Sequence, residues 1–154
     1  SRARVDGLRQ GFRRELAALG VAQADIEAAV ERVAAALRNA IEDERGRWLL
    51  GPQQSARNEY RLTLHSGDAG GSGSVNLVID RSFIDAEGRR WIVDYKTGSH
   101  EGADIGGFLD RERERYRAQL DRYALALAAG RDGAAIKCGL YFPLLNGWRE
   151  WGGE

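Results

Sequence analysis

The sequence has no methionine, a single cysteine and only two prolines in 154 residues. One cysteine, Cys138, excludes an internal disulfide, a four-cysteine zinc site and a cysteine-ligated iron–sulfur cluster. No apolar run approaches the roughly 20 residues that span a bilayer and no stretch resembles a signal peptide, so we expect no membrane segment and a cytoplasmic location. The missing methionine and the opening at Ser1-Arg2 predict a piece cut from a longer polypeptide.

An excess of charge of one sign is also absent, because 23 basic residues balance 23 acidic residues. A basic surface for a nucleic acid must therefore be local. Lysine is scarce as well, since only two of the 23 basic residues are lysines, Lys96 and Lys137. This chain uses arginine almost wherever it needs a positive charge, so a position that keeps lysine is a candidate for chemistry.

Hydrophobic periodicity predicts a mixed α/β chain. Gly20 and Gly130 stand where the first and third helices should end. A hairpin turn is predicted at 85–88, and the glycine-rich stretch 66–74, which lacks the lysine of a phosphate-binding loop, predicts a flexible connection. The predicted elements are, in chain order, helices over 5–19 and 26–41, strands over 60–64, 75–84 and 90–95, a helix over 110–129, and strands over 135–142 and 148–151.

The helix over 110–129 has two distinct patterns. Its arginines alternate with acidic residues, which favours a solvated helix whose charges pair with one another over a DNA-binding face. Its apolar stripe, at helical spacing, consists of Tyr116, Leu120, Tyr123 and Leu127.

Two carboxylates stand inside the apolar strands that flank the predicted hairpin turn. Asp80 follows Leu77-Val78-Ile79, and Asp94 follows Trp91-Ile92-Val93. With the turn centred near Glu87, the two aspartates should face one another with their Cβ atoms roughly 5 Å apart. Like charges that close repel, so we expect a positive group between them. The two-residue period of a strand puts Lys96 on the same face as Asp94.

Two converging carboxylates and a lysine are suited to binding Mg²⁺, because hard divalent cations take oxygen ligands. Such a metal acidifies a bound water and neutralises charge on a phosphate, while the lysine orients the water or stabilises the developing charge. The alternative is an Asp–Lys–Asp ion-pair cluster with no catalytic task, and the spacing alone leaves both open. The scarcity of lysine favours chemistry, since arginine would suffice for an ion pair.

The pieces "IDR", "VDYKTG" and "QLDRYA", in that order, resemble the RecB-type branch of the PD-(D/E)XK nuclease superfamily over residues 59–142. The resemblance implies an α/β, restriction-endonuclease-like core with a mixed central β-sheet flanked by helices. It divides one domain into an N-terminal helical part over 1–58, truncated at its start, and a nuclease core over 59–154. It also implies an exonuclease-type deoxyribonuclease that uses Mg²⁺ or Mn²⁺, with DNA and a helicase region of the same longer chain or complex as partners, in bacterial double-strand-break repair and recombination.

The resemblance assigns roles to the hairpin residues. Asp80 matches the first metal-ligand carboxylate, and Asp94 and Lys96 match the (D/E)XK pair, so all three are expected to be catalytic. The backbone carbonyl of Tyr95 matches a further metal ligand. Leu77 departs from the pattern, because the family often has glycine three residues before the first aspartate.

Three more residues receive expected roles from the resemblance. Gln119 and Tyr123 match a Q-x-x-x-Y motif that supports the site and contacts DNA, although an ordinary amphipathic helix would also explain them. Glu59 matches an accessory acidic residue on the first strand, or is a capping or salt-bridging glutamate. The family's histidine ligand on a helix before the first strand has no counterpart, since no histidine precedes His65, so that helix is expected upstream.

Two other functions therefore stay open. One is a catalytically silent nuclease-like module that has a structural or DNA-guiding role in a helicase. The other is a site whose metal serves stability alone. His65 and His100 are expected to be loop residues rather than ligands.

Overall fold

The computed structural model describes residues 2–65, 74–129 and 135–153, which belong to two compact units. The predicted connection 66–74, apart from Ser74, and the predicted helix stop at Gly130 lie outside the described residues. The first unit comprises Ser1–Gly51 with two short later segments, Thr97–Ser99 and Phe142–Gly147. The second unit comprises the rest of the chain from Pro52 onward.

The first unit contains four helices, α1 (Arg2–Gly7), α2 (Arg9–Ala18), α3 (Ile26–Glu42) and α4 (Glu44–Leu50). The single helix predicted over 5–19 is wrong, because the chain breaks at Leu8 into α1 and α2. The break follows Gly7, whose backbone freedom weakens a helix interior. Gly20 ends this region as predicted, since at a φ of 87° it adopts the left-handed conformation that closes a helix.

Helix α3 matches the predicted span and buries one face through Ile26, Val30 and Ala34. Helix α4 has no counterpart in the prediction, since seven residues are too few for a periodic apolar pattern. Its sequence signal is Asp43, whose side chain accepts a hydrogen bond from the backbone N–H of Gly46 at 3.0 Å. Two hydrogen bonds join the later segments of this unit to α3. Asn39 Nδ2 donates to the Pro143 carbonyl at 2.9 Å, and Arg32 donates to Ser99 Oγ at 3.0 Å.

The second unit is built on a five-stranded mixed sheet in the order β1-β2-β3-β4-β5. The pairs β1/β2 and β2/β3 are antiparallel, whereas β3/β4 is parallel. The predicted α/β class with a mixed central sheet is therefore confirmed. The strands are β1 (Gln54–His65), β2 (Ser74–Ile84), β3 (Arg90–Tyr95), β4 (Ile136–Phe142) and β5 (Gly147–Gly152).

Helix α5 (Ile105–Ala128) provides the crossover that a parallel pair of neighbouring strands requires. It begins five residues earlier than predicted, at a cap where Asp104 Oδ1 accepts from the backbone N–H of Gly107 at 2.8 Å. Its inner face packs on the sheet through Leu127, which clusters with Ile79 of β2 and Ile92 of β3. Among the helices that the structure describes, none is long and apolar enough to cross a membrane.

The turn between β2 and β3 lies where it was predicted and is organised by one buried carboxylate, Asp85. Its Oδ1 accepts from the backbone N–H groups of Glu87 and Arg89 at 3.0 and 2.8 Å. Its Oδ2 accepts from Arg89 Nε at 2.8 Å and from Trp91 Nε1 at 2.7 Å. Burial alone would raise the pKa of Asp85, but the bonds from Trp91 and Arg89 outweigh it and lower the pKa to about 2. Asp85 therefore fixes the hairpin as a charged hydrogen-bond acceptor.

Candidate active site

The register of the hairpin brings Asp80 and Asp94 together. The ladder runs from Ile84↔Arg90 to Arg81↔Val93, so Asp80 and Asp94 occupy the next positions across from one another. The side chain of Asp80 also crosses to β3, where its Oδ2 accepts from the backbone N–H of Tyr95 at 2.9 Å. The expected facing of the two aspartates is thus what the structure shows.

The two carboxyl groups lie close enough to share a hydrogen bond, and the side chain of Asp94 is only 16% exposed. Burial raises the pKa of Asp94, the neighbouring Asp80 raises it further and Lys96 lowers it, which leaves the pKa at about 6. Two adjacent carboxylates cannot both stay ionised at low cost unless a cation joins them. The pair is therefore electrostatically poised to bind a positive charge.

Lys96 follows directly at the end of β3, and its side chain is 21% exposed. Its Nζ lies 2.5 Å from Asp94 Oδ2, which confirms the expectation that the two side chains share a face. Its backbone N–H donates to the Tyr141 carbonyl at 2.8 Å and so extends the β3/β4 pairing by one residue. The ammonium also lies 3.7 Å from the centroid of the Tyr116 ring, a contact that the sequence did not reveal.

Gln119 and Tyr123 meet on α5, where Gln119 Nε2 donates to the Tyr123 hydroxyl at 2.9 Å. Tyr123 packs against the cluster formed by Ile79, Ile92 and Leu127, and Ile79 immediately precedes Asp80. The helix therefore places the Q-x-x-x-Y pair over the strands that carry the aspartates. Their contact with DNA stays a prediction.

A comparison with protein families shows which superfamily the chain belongs to. The sequence profile of the PD-(D/E)XK nuclease superfamily matches residues 3–147. The chain belongs to the PD-(D/E)XK nuclease superfamily. The match extends over segments of both compact units, and the fold of this superfamily, a mixed sheet with flanking helices, is the fold observed. Among curated proteins, a search found no significant match to the chain.

Nucleases of the PD-(D/E)XK superfamily generally use divalent metal ions. The residues here fit such an ion, since Asp80 and Asp94 offer hard oxygen donors side by side. Asp94 Oδ2 is buried, and the contact that the structure describes for it is the ion pair with Lys96. A buried anionic oxygen with spare acceptor capacity is a suitable ligand for a hard cation.

Within the described ranges, no group of three or more His, Cys, Asp or Glu side chains is placed to hold a metal. At this site, the carboxylates that the structure brings together are therefore the two of Asp80 and Asp94. Glu59 lies opposite Asp80, because Asn58 pairs with Arg81 and Tyr60 pairs with Ile79. Its side chain is exposed and its φ is 47°, a conformation that is uncommon for a residue other than glycine. The accessory role of Glu59 stays a prediction.

The two histidines, His65 and His100, lie close to the ends of β1 and β3. His100 follows β3 and stacks on the Phe108 ring at a centroid distance of 4.9 Å, which is a packing contact for its imidazole. His65 is the last residue of β1, and its side chain lies outside the described part of the structure. His65 is therefore a strand-end residue rather than the expected loop residue.

Proposed function

We propose that this PD-(D/E)XK protein is an exonuclease-type deoxyribonuclease that hydrolyses phosphodiester bonds with Mg²⁺ or Mn²⁺. The observation that carries the proposal is the placement of Asp80, Asp94 and Lys96 at adjoining positions of one hairpin, with Lys96 Nζ 2.5 Å from Asp94 Oδ2. An ion pair without a catalytic task would be served equally well by arginine, which outnumbers lysine among the basic residues of this chain.

Each residue has a distinct task in this proposal. Asp80 and Asp94, with the backbone carbonyl of Tyr95, hold the metal. When bound, a divalent ion acidifies water and neutralises charge on the phosphate. Lys96 keeps its ammonium beside the carboxylates, where it orients the attacking water and stabilises negative charge that develops on the scissile phosphate.

Gln119 and Tyr123 support the site and contact DNA from α5. Their mutual hydrogen bond of 2.9 Å holds both polar groups on one helix face, and the packing of Tyr123 on the core fixes that face over β2 and β3. Glu59, opposite Asp80, is the accessory acidic residue.

We further propose that the protein is of the RecB-type branch and functions with a helicase region, in the same chain or complex, in double-strand-break repair and recombination in the cytoplasm. The support is the ordered set of "IDR" on β2, "VDYKTG" across the end of β3, and "QLDRYA" on α5. In this assignment residues 59–154 are the nuclease core and residues 1–58 the helical part that precedes it.

The test is the cleavage of end-labelled single-stranded and double-stranded DNA with Mg²⁺ or Mn²⁺. Wild-type protein should cleave, a chelator should stop cleavage and Lys96→Ala should abolish it. Lys137→Ala is the matched control, because Lys137 is the other lysine, is also 21% exposed and is ion-paired with Glu150 at 3.3 Å. Metal-dependent DNA binding without cleavage would contradict the proposal and favour a catalytically silent, DNA-guiding module.

A further inference from the structure

We propose that Tyr116 is the positioning residue for Lys96, holding its ammonium against the face of a neutral aromatic ring. This inference rests on the proposed function, because it concerns the lysine of the same site. Tyr116 lies on α5, and Lys96 Nζ is 3.7 Å from the centroid of its ring. That distance is well inside the roughly 6 Å within which a cation is attracted to a ring face.

The contacts of the ammonium are few and contrasting. In the part of the chain that the structure describes, they are the carboxylate of Asp94 at 2.5 Å and the ring of Tyr116. Arg115 contributes a second cation near the same ring, with its Cζ 5.3 Å from the centroid. The Lys96 side chain is 21% exposed, so its attraction to the ring is only weakly screened by water.

The ring supplies a restraint that Asp94 cannot supply during the reaction. Asp94 is proposed to bind the metal, and a carboxylate that shares its charge with a metal attracts a lysine less strongly. The face of a tyrosine ring attracts the ammonium without a full negative charge, so it neither competes for the metal nor neutralises the lysine. Tyr116 therefore keeps Lys96 at the site while leaving its positive charge available to the phosphate.

The position of the ammonium is measured directly by NMR on protein with ¹³C-labelled lysine. The chain has two lysines, so two ε-methylene signals are expected. The Tyr116 ring should shift the Lys96 signal upfield, and Tyr116→Phe should keep that shift. Tyr116→Leu and Tyr116→Met should lose it. Lys137, whose Nζ lies 5.6 Å from the Trp91 ring centroid, provides an unchanged internal control.

Steady-state DNA cleavage then tests the consequence for the reaction. Tyr116→Leu and Tyr116→Met should lower kcat about fivefold to thirtyfold with little change in KM. Tyr116→Phe should restore most of the rate. Leu125→Ala, an exposed substitution on the same helix, is the control and should leave the rate unchanged.

Two results would overturn the inference. One is a Lys96 signal that is the same in wild type, Tyr116→Leu and Tyr116→Met. The other is a displaced Lys96 signal with an unaltered kcat. A wild-type protein that cleaves no DNA with any divalent metal would refute the proposed function instead, and the NMR comparison would still decide whether Tyr116 holds the ammonium.

Discussion

The buried carboxylate of Asp85 should contribute a measurable part of the folding free energy. Its four hydrogen bonds come from the backbone N–H groups of Glu87 and Arg89, from Arg89 Nε and from Trp91 Nε1, and its side chain is 1% exposed. These bonds lower its pKa from 3.8 to about 2. At about 1.36 kcal/mol for each pKa unit, the charged form stabilises the folded state by about 2 kcal/mol.

The sign of the pH dependence follows from the lowered pKa. The stabilisation is fully present above the unfolded pKa of 3.8 and is lost as the pH falls through the folded pKa of about 2. About half of it should remain near pH 3. Asp85→Asn should therefore unfold about 2 kcal/mol more easily at pH 7, and its deficit relative to wild type should shrink as the pH falls from 4 to 2.

Urea denaturation followed by tryptophan fluorescence measures this difference, since Trp91 is itself a partner of Asp85. Glu87→Gln is the matched control in the same turn, because the Glu87 side chain is 65% exposed and should change stability by less than about 0.5 kcal/mol. Equal midpoints for wild type and Asp85→Asn at pH 7 would refute the reasoning. So would a deficit that does not diminish between pH 4 and pH 2.

Two further predictions concern packing and the surface of α5. Gly139→Ala should destabilise the protein by about 1–3 kcal/mol in thermal unfolding, because a Cβ there would lie 2.1 Å from Trp148 Cη2, whose ring is held by a 2.7 Å bond from Nε1 to Glu150. Gly11→Ala is the control, because a Cβ there would meet nothing within 4 Å, and it should instead stabilise α2 by about 0.5–1 kcal/mol. A similar loss of stability in both variants would contradict the packing explanation. Arg117→Ala should leave the salt dependence of DNA binding unchanged, because Arg117 is ion-paired with Glu114 at 3.7 Å and with Asp121 at 3.8 Å. If the slope of log binding constant against log salt concentration fell by about one instead, Arg117 would contact a DNA phosphate.

The facing of Asp80 and Asp94 across the hairpin was predictable, because the cost of a buried carboxylate and the register of the strands both constrain these residues. Asp80 and Asp94 are costly in apolar strands, and a shift of register by one residue would turn each side chain to the other face. The observed ladder, with Arg81 opposite Val93 and Ile84 opposite Arg90, is the predicted register. The superfamily followed from the same residues, and its profile match confirms it.

The structure differs from the prediction where the local sequence is ambiguous, or where two residues in contact are distant along the chain. The apolar period continues through Leu8, so it could not reveal the break between α1 and α2. Gly106 and Gly107 concealed the start of α5, since glycine disfavours helix, although Asp104 supplied a capping signal. Strand β1 begins earlier than predicted because residues 54–59 lack the apolar alternation by which a strand is recognised in a sequence.

Tyr116 was placed on the apolar stripe of its helix, and nothing in the sequence pairs it with Lys96. Their contact depends on how α5 crosses the sheet, which is a property of tertiary packing. Helical spacing gives the face of a residue but not its partner on another element. For the same reason, the hydrogen bond between Gln119 and Tyr123 was accessible to sequence reasoning, since both residues lie one turn apart on one helix.

The central claim is that the Lys96 ammonium performs chemistry rather than completing an ion pair, and Lys96→Arg tests it most directly. Arginine keeps the charge opposite Asp94 but replaces the compact ammonium by a planar guanidinium. Lys137→Arg is the matched control, because both lysine side chains are 21% exposed and each is ion-paired with an acidic residue. We predict that Mg²⁺-dependent DNA cleavage is lost in Lys96→Arg, with folding intact, and is retained in Lys137→Arg. Full cleavage by Lys96→Arg would contradict the account and leave Lys96 as a structural partner of Asp94.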